Sequence, residues 1–493
     1  MTGQEVSSVR VLGQLLEGVT EITNAQDLEV YSLTLDSRSV SPGSMFVGLP
    51  GAREDGRRYI EQAVQAGASA VLYESRGWSV RDYAVPSFPV EDLRKQIGLI
   101  ASRFYGRPSR PLCVIGFTGT NGKTTCAGLL AQALKHLGRR SAFIGTVGAG
   151  LIDDLQSQSL TTPDVISLHA HLARLLDQGA DSVCLEVSSH ALDQGRVDGI
   201  EFDTAVFTNL SRDHLDYHAS IDDYAATKLL LFRSGGLRTA VINSDDPWGA
   251  EFALAGLSAN VWTYGTNAHA DVYLRGATAL PDGYRLQLSS PLGIVDFQTS
   301  LLGQFNVVNT IAVVGTLLAL EYSPDQIEQV MPFLRPMRGR MELVEHQKAA
   351  PKTIVDFAHT PAALEQVLTA SRCHAAGDLW CVFGCGGDRD AGKRPLMGAV
   401  AQRLADHVVL TSDNPRGESP WQILDQIQSG MSTPPRTVVV DRKEAIRFAL
   451  NNASDSDLVL IAGKGHETEQ VTGPTAEPFS DQDTIRQLLE EHG

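Results

Sequence analysis

Val114-Ile-Gly-Phe-Thr-Gly-Thr-Asn-Gly-Lys-Thr-Thr125 is the stretch that decides how this chain is read. An apolar run over residues 112–117 leads into glycines at 116, 119 and 122, and an amphipathic helical pattern follows Lys123 and Thr124. Strand, glycine turn and helix in that order wrap backbone N–H groups around the phosphates of a nucleotide. Lys123 then supplies an ammonium for the β and γ oxygens, and Thr124 a hydroxyl for Mg²⁺. The spacing departs from the usual G-x₄-G-K-[ST], because Phe stands at position 117. The strand–loop–helix context therefore carries the reading against the plainer alternative, a glycine-rich turn without a ligand.

Outward from that loop, 493 residues are too many for one hydrophobic core, so several domains are expected. With 43% hydrophobic and 20% charged residues the composition is that of a soluble globular protein. A formal charge of −17 without a Lys/Arg-rich run argues against a general grip on nucleic acid or anionic lipid. The cysteines at 113, 126, 184, 373, 381 and 385 lack zinc-ligand spacing and read as reduced, mostly structural thiols. The first residues, MTGQEVSSVRVLGQLLEGV, lack a continuous apolar core, and no stretch approaches the roughly 18 apolar residues that span a bilayer. A cytoplasmic location is expected.

Strand–helix alternation restarts twice. The first restart follows Arg107-Pro-Ser-Arg-Pro111. The second follows the proline-bearing segment 332–336, after which residues 353–357 read as a strand and 361–370 as its helix, with Pro361 in the first turn. Three domains are predicted, at 1–108, 109–336 and 337–493. Strand patterns at 182–187, 204–208 and 239–243 in the second, and at 379–383, 407–411, 437–440 and 458–461 in the third, give the βαβ rhythm of mostly parallel sheets. The fold class is α/β, with a central phosphate-loop ATPase-like sheet and a Rossmann-like C-terminal domain. Functional residues belong just beyond the carboxyl ends of such strands.

Gly119-Thr-Asn-Gly-Lys-Thr-Thr125, Glu186-Val-Ser-Ser-His190, Asn209-Leu-Ser-Arg-Asp-His-Leu-Asp-Tyr-His218, Gly339-Arg-Met-Glu342 and Asp356-Phe-Ala-His-Thr-Pro361 resemble motifs of the Mur ligases. The loop is also similar to that of folylpolyglutamate synthetases. The resemblance runs along the whole chain and is greatest to the cell-wall ligases that add the third residue of the peptide stem. It implies an ATP-dependent amide-bond ligase that phosphorylates a substrate carboxylate and lets an amine attack the acyl phosphate, with ATP and Mg²⁺ as cofactors. The implied ATP contacts are Gly119, Thr120, Asn121, Gly122, Lys123, Thr124, Thr125, Asn306, Arg340 and Asp356. Lys123, Glu186, His214 and Lys228 are the implied catalytic set. Thr124, Glu186, His214 and Lys228 are the implied metal ligands, Lys228 as a carbamate made with CO₂. An unmodified ammonium there would repel a cation. Taken alone, a strand-end Glu is more often solvated or capping, His214 could be an ordinary loop histidine, and Lys228 could be a snorkelling lysine. Without the family, Asn306 could be a helix cap, and Arg340 and Asp356 surface charges. One departure is visible: Phe357 stands where the family often has Tyr.

The resemblance also implies a UDP-precursor site. It draws on Leu35 and Ser37 in the first domain, near the segments 34–38, 42–47 and 51–56, and on Thr161, Thr162, Ser188, Gln194 and Arg196 for the muramoyl-dipeptide arm. By themselves the residues 34–38 read as a turn with solvated charges. Arg389, Asp413-Asn414-Pro415-Arg416, Gly463 and Glu467 are implied to bind meso-diaminopimelate. Its distal carboxylate, absent from lysine, suits a guanidinium fork, and relatives that add lysine lack this arginine. The expected substrates are thus ATP, the UDP-N-acetylmuramoyl dipeptide and meso-diaminopimelate, taken by a monomer that binds neither nucleic acid nor membrane. The rival readings are a lysine-adding ligase, a folylpolyglutamate synthetase, and a non-catalytic nucleotide-gated binding protein. The last predicts loss of Lys123, Glu186, His214 or Lys228, and all four are present.

Overall fold

A computed structural model describes residues 9–22, 24–51, 54–79, 81–158, 160–215, 217–280, 282–345 and 350–491. Part of the N-terminal segment, residues 52 and 53 of the 51–56 segment and residue 216 of the 209–218 motif lie outside them. The architecture is α/β with three sheet-centred domains, arranged in two compact units. One is Met1–Tyr264 with Gly315–Glu321; the other is Gly265–Val314 with Tyr322–Gly493.

The first unit opens with a four-stranded parallel sheet, Ser32–Thr34, Ser44–Gly48, Ala70–Glu74 and Ser87–Val90. The amphipathic helix Leu93–Phe104 adds its apolar face to the core. A larger sheet follows. Its parallel strands run, in spatial order, Ser141–Gly145, Ser182–Glu186, Cys113–Thr118, Thr204–Phe207, Thr239–Asn243 and Asn260–Gly265. After Cys113–Thr118 the chain lays strands first on one side and then on the other, so the crevice of this sheet opens at the carboxyl end of the strand that feeds the glycine loop.

In the second unit a six-stranded sheet has the order Glu342–Leu343, Lys352–Asp356, Leu458–Ala462, Leu379–Phe383, His407–Leu410 and Thr437–Val438, parallel except for its first pair. Helices and strands mostly follow the alternation in the sequence; Pro361 is the first residue of Pro361–Arg372, capped by the Thr360 hydroxyl. Sequence patterning does not announce an antiparallel meander, Val272–Leu280, Gly283–Ser290 and Gly293–Thr299. Its first strand is largely exposed, which weakens the alternation that signals a strand.

A fully buried ion pair holds the carboxyl end of the six-stranded sheet. Arg442 is bidentate to Asp481 at 2.7 and 2.8 Å, and also donates to the carbonyls of Ser412 and Ala462, at the ends of two strands. Removing one partner strands a charge in the core. Asp481→Asn is expected to cost about 3–5 kcal/mol in urea unfolding; a loss below about 1 kcal/mol would show that the pair is dispensable.

His169, on the helix Val165–Asp177, is fully buried against the Asp198 carbonyl at 3.0 Å, and burial pushes its imidazole down to about 4. Between that value and its ordinary 6.5 the unfolded chain takes up a proton that the fold refuses, so stability falls on acidification through this window. From about pH 7 to about pH 5 the wild type should lose up to about 2 kcal/mol more than His169→Gln. Parallel stability curves for the two proteins would refute this.

Candidate active site

The helix Lys123–His136 begins at Gly122, whose φ of 84° needs no side chain, and no side-chain cap occupies its start. Helices built this way turn their first N–H groups toward an anion. Gly119, at φ 152°, passes so close to the Thr208 hydroxyl that a Cβ would overlap it. The loop is pinned from the strand Thr204–Phe207 side. Asn209 accepts from Asn121 N at 2.9 Å and donates to Asn121 O at 3.1 Å, and Thr208 donates to the same carbonyl at 2.6 Å. Lys123 folds back onto the carbonyls of Gly119 and Thr120, at 2.8 and 3.0 Å.

Glu186 is completely buried at the end of its strand. Its carboxylate accepts from the Thr124 hydroxyl at 2.9 Å, the Thr146 N–H at 2.7 Å and the Thr146 hydroxyl at 3.2 Å. The Thr162 hydroxyl donates to the Glu186 carbonyl at 2.8 Å, Thr161 meets Thr146 at 3.1 Å, and Ser188 caps the short helix Ser189–Asp193. Arg196 reaches the Thr162 carbonyl at 3.0 Å and clasps Gln194. The structure thus brings Thr124, Glu186, Thr161, Thr162, Ser188, Gln194 and Arg196 into one connected patch around the loop.

Lys228, 1% exposed on the helix Ile221–Phe232, donates to Gly119 O at 2.9 Å and lies 4.3 Å over the Tyr224 ring. Burial, and secondarily Lys123, hold its amine well below the usual lysine range, against a pull from Asp213. His214 adopts a left-handed φ of 53°, with its ring 5.0 Å from His190 and 6.1 Å from Tyr224. Thr124 and Glu186 offer oxygen donors that suit Mg²⁺. Among the described residues no cluster of three or more His, Cys, Asp or Glu is arranged to hold a metal. Leu35 and Ser37 lie on the first sheet's loop. Ser37 donates to Gln62 at 3.3 Å, and no hydrogen bond among the described residues joins either to the patch.

Asn306, Arg340 and Asp356 belong to the second unit. Asn306 is 2% exposed inside the helix Gln304–Ala319, and bonds Leu302 O and Asn309. Asp356 ends its strand and accepts from Met341 N and Ala358 N, both at 2.7 Å. Burial raises its pKa, while Arg340 and the two N–H donors oppose the rise. Arg340 stacks 4.8 Å over the Phe357 ring, so the missing phenol hydroxyl leaves the platform intact. These residues are therefore neither a cap nor plain surface charges.

The residues that the sequence assigns to an amino acid, Arg389, residues 413–416, Gly463 and Glu467, gather on three loops beyond neighbouring strands. Arg416, half-buried at φ 50°, is fixed by N–H to Val471 O at 3.0 Å and by Nη1 to Gly387 O at 3.0 Å; its Nε and Nη2 make no hydrogen bond among the described residues. Asn414 donates to Glu467 at 2.7 Å. Gly463, at φ 112°, leaves room for the Asp413 carboxylate, which a Cβ would press at 2.5 Å. Pro415 is buried between them, and Arg389 is exposed. Buried Arg394 grips Glu418 at 2.8 and 2.9 Å and Gly386 O at 3.1 Å, tying the Arg389 and Arg416 loops together. The sequence reading missed Thr146, Asn209, Tyr224 and Arg394 as supporting residues. Asn209 opens the segment 209–218, whose pattern marks it, but nothing local marks Thr146 or Arg394.

Profiles described as Mur ligase family catalytic domain, Mur ligase middle domain and glutamate ligase domain match residues 29–105, 117–317 and 339–465. The chain belongs to the Mur ligase family. Among Mur ligases it is 44% identical over 490 residues to a UDP-N-acetylmuramoyl-L-alanyl-D-glutamate–2,6-diaminopimelate ligase of Coxiella burnetii, covering 97% of this chain and 99% of that one. It is 47% identical over 467 residues to the Pseudomonas aeruginosa protein of the same name, covering 94% and 96%. A solved structure of that name aligns with TM-score 0.73 at 35% identity over 98% of this chain and 99% of the other. The ADP complex of a Thermotoga maritima MurF ligase shares the fold, with TM-score 0.64 at 18% identity, over 94% and 98%.

Lys123→Ala is expected to lower ATP turnover by about a hundredfold or more while leaving the melting temperature within about 2 °C. Phosphate release at the wild-type rate would remove the loop from the mechanism.

Proposed function

We propose that this Mur ligase joins meso-diaminopimelate to UDP-N-acetylmuramoyl-L-alanyl-D-glutamate in the cytoplasmic stage of peptidoglycan synthesis, with ATP as the energy source. ATP's γ-phosphoryl group passes to a carboxylate of the precursor, releasing ADP. The amine of the incoming amino acid attacks the acyl phosphate, and collapse of the tetrahedral intermediate expels phosphate and leaves the amide. Gly119 to Thr125 cradle the phosphates, and Lys123 neutralises the transferring group. Thr124 and Glu186 would hold Mg²⁺, which supplies further charge neutralisation when bound. Arg196, which bonds Gln194 and the Thr162 carbonyl, is read as the partner of a substrate carboxylate.

Lys228 is read as a carbamate: its buried amine, whose charged form burial disfavours, adds CO₂ and loses a proton to give an anion beside the loop. His214 joins it, while Asn306, Arg340 and Asp356 serve ATP and Leu35 and Ser37 the uridine end. Lys228→Ala should be nearly inactive and partly recovered by acetate, whose carboxylate restores the missing anion. A lack of rescue at any acetate concentration, with the variant folded, would count against the carbamate.

The observation that carries the choice of amino acid is the Arg416 fork, fixed in place yet with Nε and Nη2 unengaged, beside Asn414 and Glu467. Loss of one member of a charge pair at such a site costs about 2–5 kcal/mol. Arg416→Ala should therefore cut kcat/KM for diaminopimelate by about 30- to 3000-fold, lysine far less, and leave ATP affinity unchanged. Retained preference for diaminopimelate would assign the distal carboxylate to Arg389 or another group. Wild-type use of lysine instead would favour the lysine-adding reading.

A further inference from the structure

Lys464 has no part in the reading above, yet it is fully buried where the Asp413–Arg416 loop meets the segment 463–471. Its Nζ donates to Asn414 Oδ1 at 3.1 Å, to Glu467 Oε2 at 3.1 Å and to the Glu469 carbonyl at 2.6 Å. An ammonium has three protons, so these acceptors use all of them and leave none for a substrate. The network continues through Asn414. Its Oδ1 also accepts from Val471 N at 2.9 Å, and its Nδ2 donates to Glu467 Oε2 at 2.7 Å, which fixes which way the amide points. Glu467 Oε2 is thus taken twice, while Oε1 makes no hydrogen bond among the described residues.

We propose that Lys464 is a positioning and specificity-determining residue for the incoming diamino acid. Its ammonium locks Asn414 and Glu467 so that Glu467 presents one anchored and one open oxygen to a substrate ammonium. This rests on the reading of Glu467 as part of the diaminopimelate site. Three acceptors diverging from one atom suit a tetrahedral ammonium, whereas a planar guanidinium spreads its donors too widely to meet them all. Stability alone does not call for such a pair, since well-packed apolar residues commonly replace buried ions without loss. What the ammonium adds is geometry: without it the Glu467 carboxylate can rotate and the Asn414 amide can flip.

The test compares Lys464→Met, Glu467→Gln and the double variant in full-length enzyme, with KM measured separately for diaminopimelate, ATP and the UDP-precursor. Lys464→Met is expected to raise KM for diaminopimelate by about tenfold or more, with the other two KM values within about twofold. The double variant should be no worse than Glu467→Gln alone, because both changes remove one arrangement. Additive effects, or a rise of all three KM values together, would overturn the proposal in favour of a general structural role. If Lys464→Met does not fold, Lys464→Arg keeps the buried cation: a rise of about threefold in KM for diaminopimelate alone supports the proposal, and an unchanged value overturns it. Glu467→Gln with a wild-type KM for diaminopimelate would overturn the site reading as well, whereas a raised KM there with an unchanged one in Lys464→Met overturns this inference alone.

Discussion

A carboxylate with no exposure to water organises the central domain. Glu186 sits where its strand ends beside the glycine loop, and a buried anion of this kind must be surrounded by donors. Thr124 comes from the first turn of the phosphate-loop helix and Thr146 from the neighbouring strand's exit, while Thr162 hangs on the same residue's carbonyl. One residue thereby ties the glycine loop to the segment assigned to the precursor's peptide arm. The hydroxyl and carboxylate oxygens that satisfy each other here are also those a hard cation would take up.

The second unit uses a different device. There buried cations fasten the loops: Arg442, with its equally buried partner Asp481, at the strand ends, Arg394 between the Arg389 and Arg416 loops, and Lys464 beneath Asn414. Each contacts backbone carbonyls as well as a carboxylate, so each fixes chain path along with charge. Long loops beyond sheet strands gain from such fastening, since the sheet ladder no longer holds their backbone.

Much of this could be read from the sequence because it is local. Strand, glycine turn and helix follow one another within residues 112–136, and the parallel strands of both large sheets are short apolar runs with clear punctuation. The resemblance to the Mur ligases supplied residues such as Asn306 and Asp356, whose burial no window of sequence reveals. What stayed hidden is long-range. Thr146 meets Glu186 across forty positions, Arg394 meets Glu418 across twenty-four, and Lys464 meets Asn414 across fifty. The meander was missed for another reason: its first strand is mostly exposed, and exposed strands lose the alternation that betrays the others.

The Arg442–Asp481 pair also imposes an order in time. Asp481 follows, along the chain, both carbonyls that Arg442 holds, at Ser412 and Ala462. While the protein is being synthesised, the guanidinium therefore emerges well before its counterion, and the strand ends it will fasten cannot be locked dry in the core. The helix Asp481–Glu491 acts as the closing key of its domain. A ribosome that stalled just short of it would leave the chain at Ser412 and Ala462 without that counterion to close over.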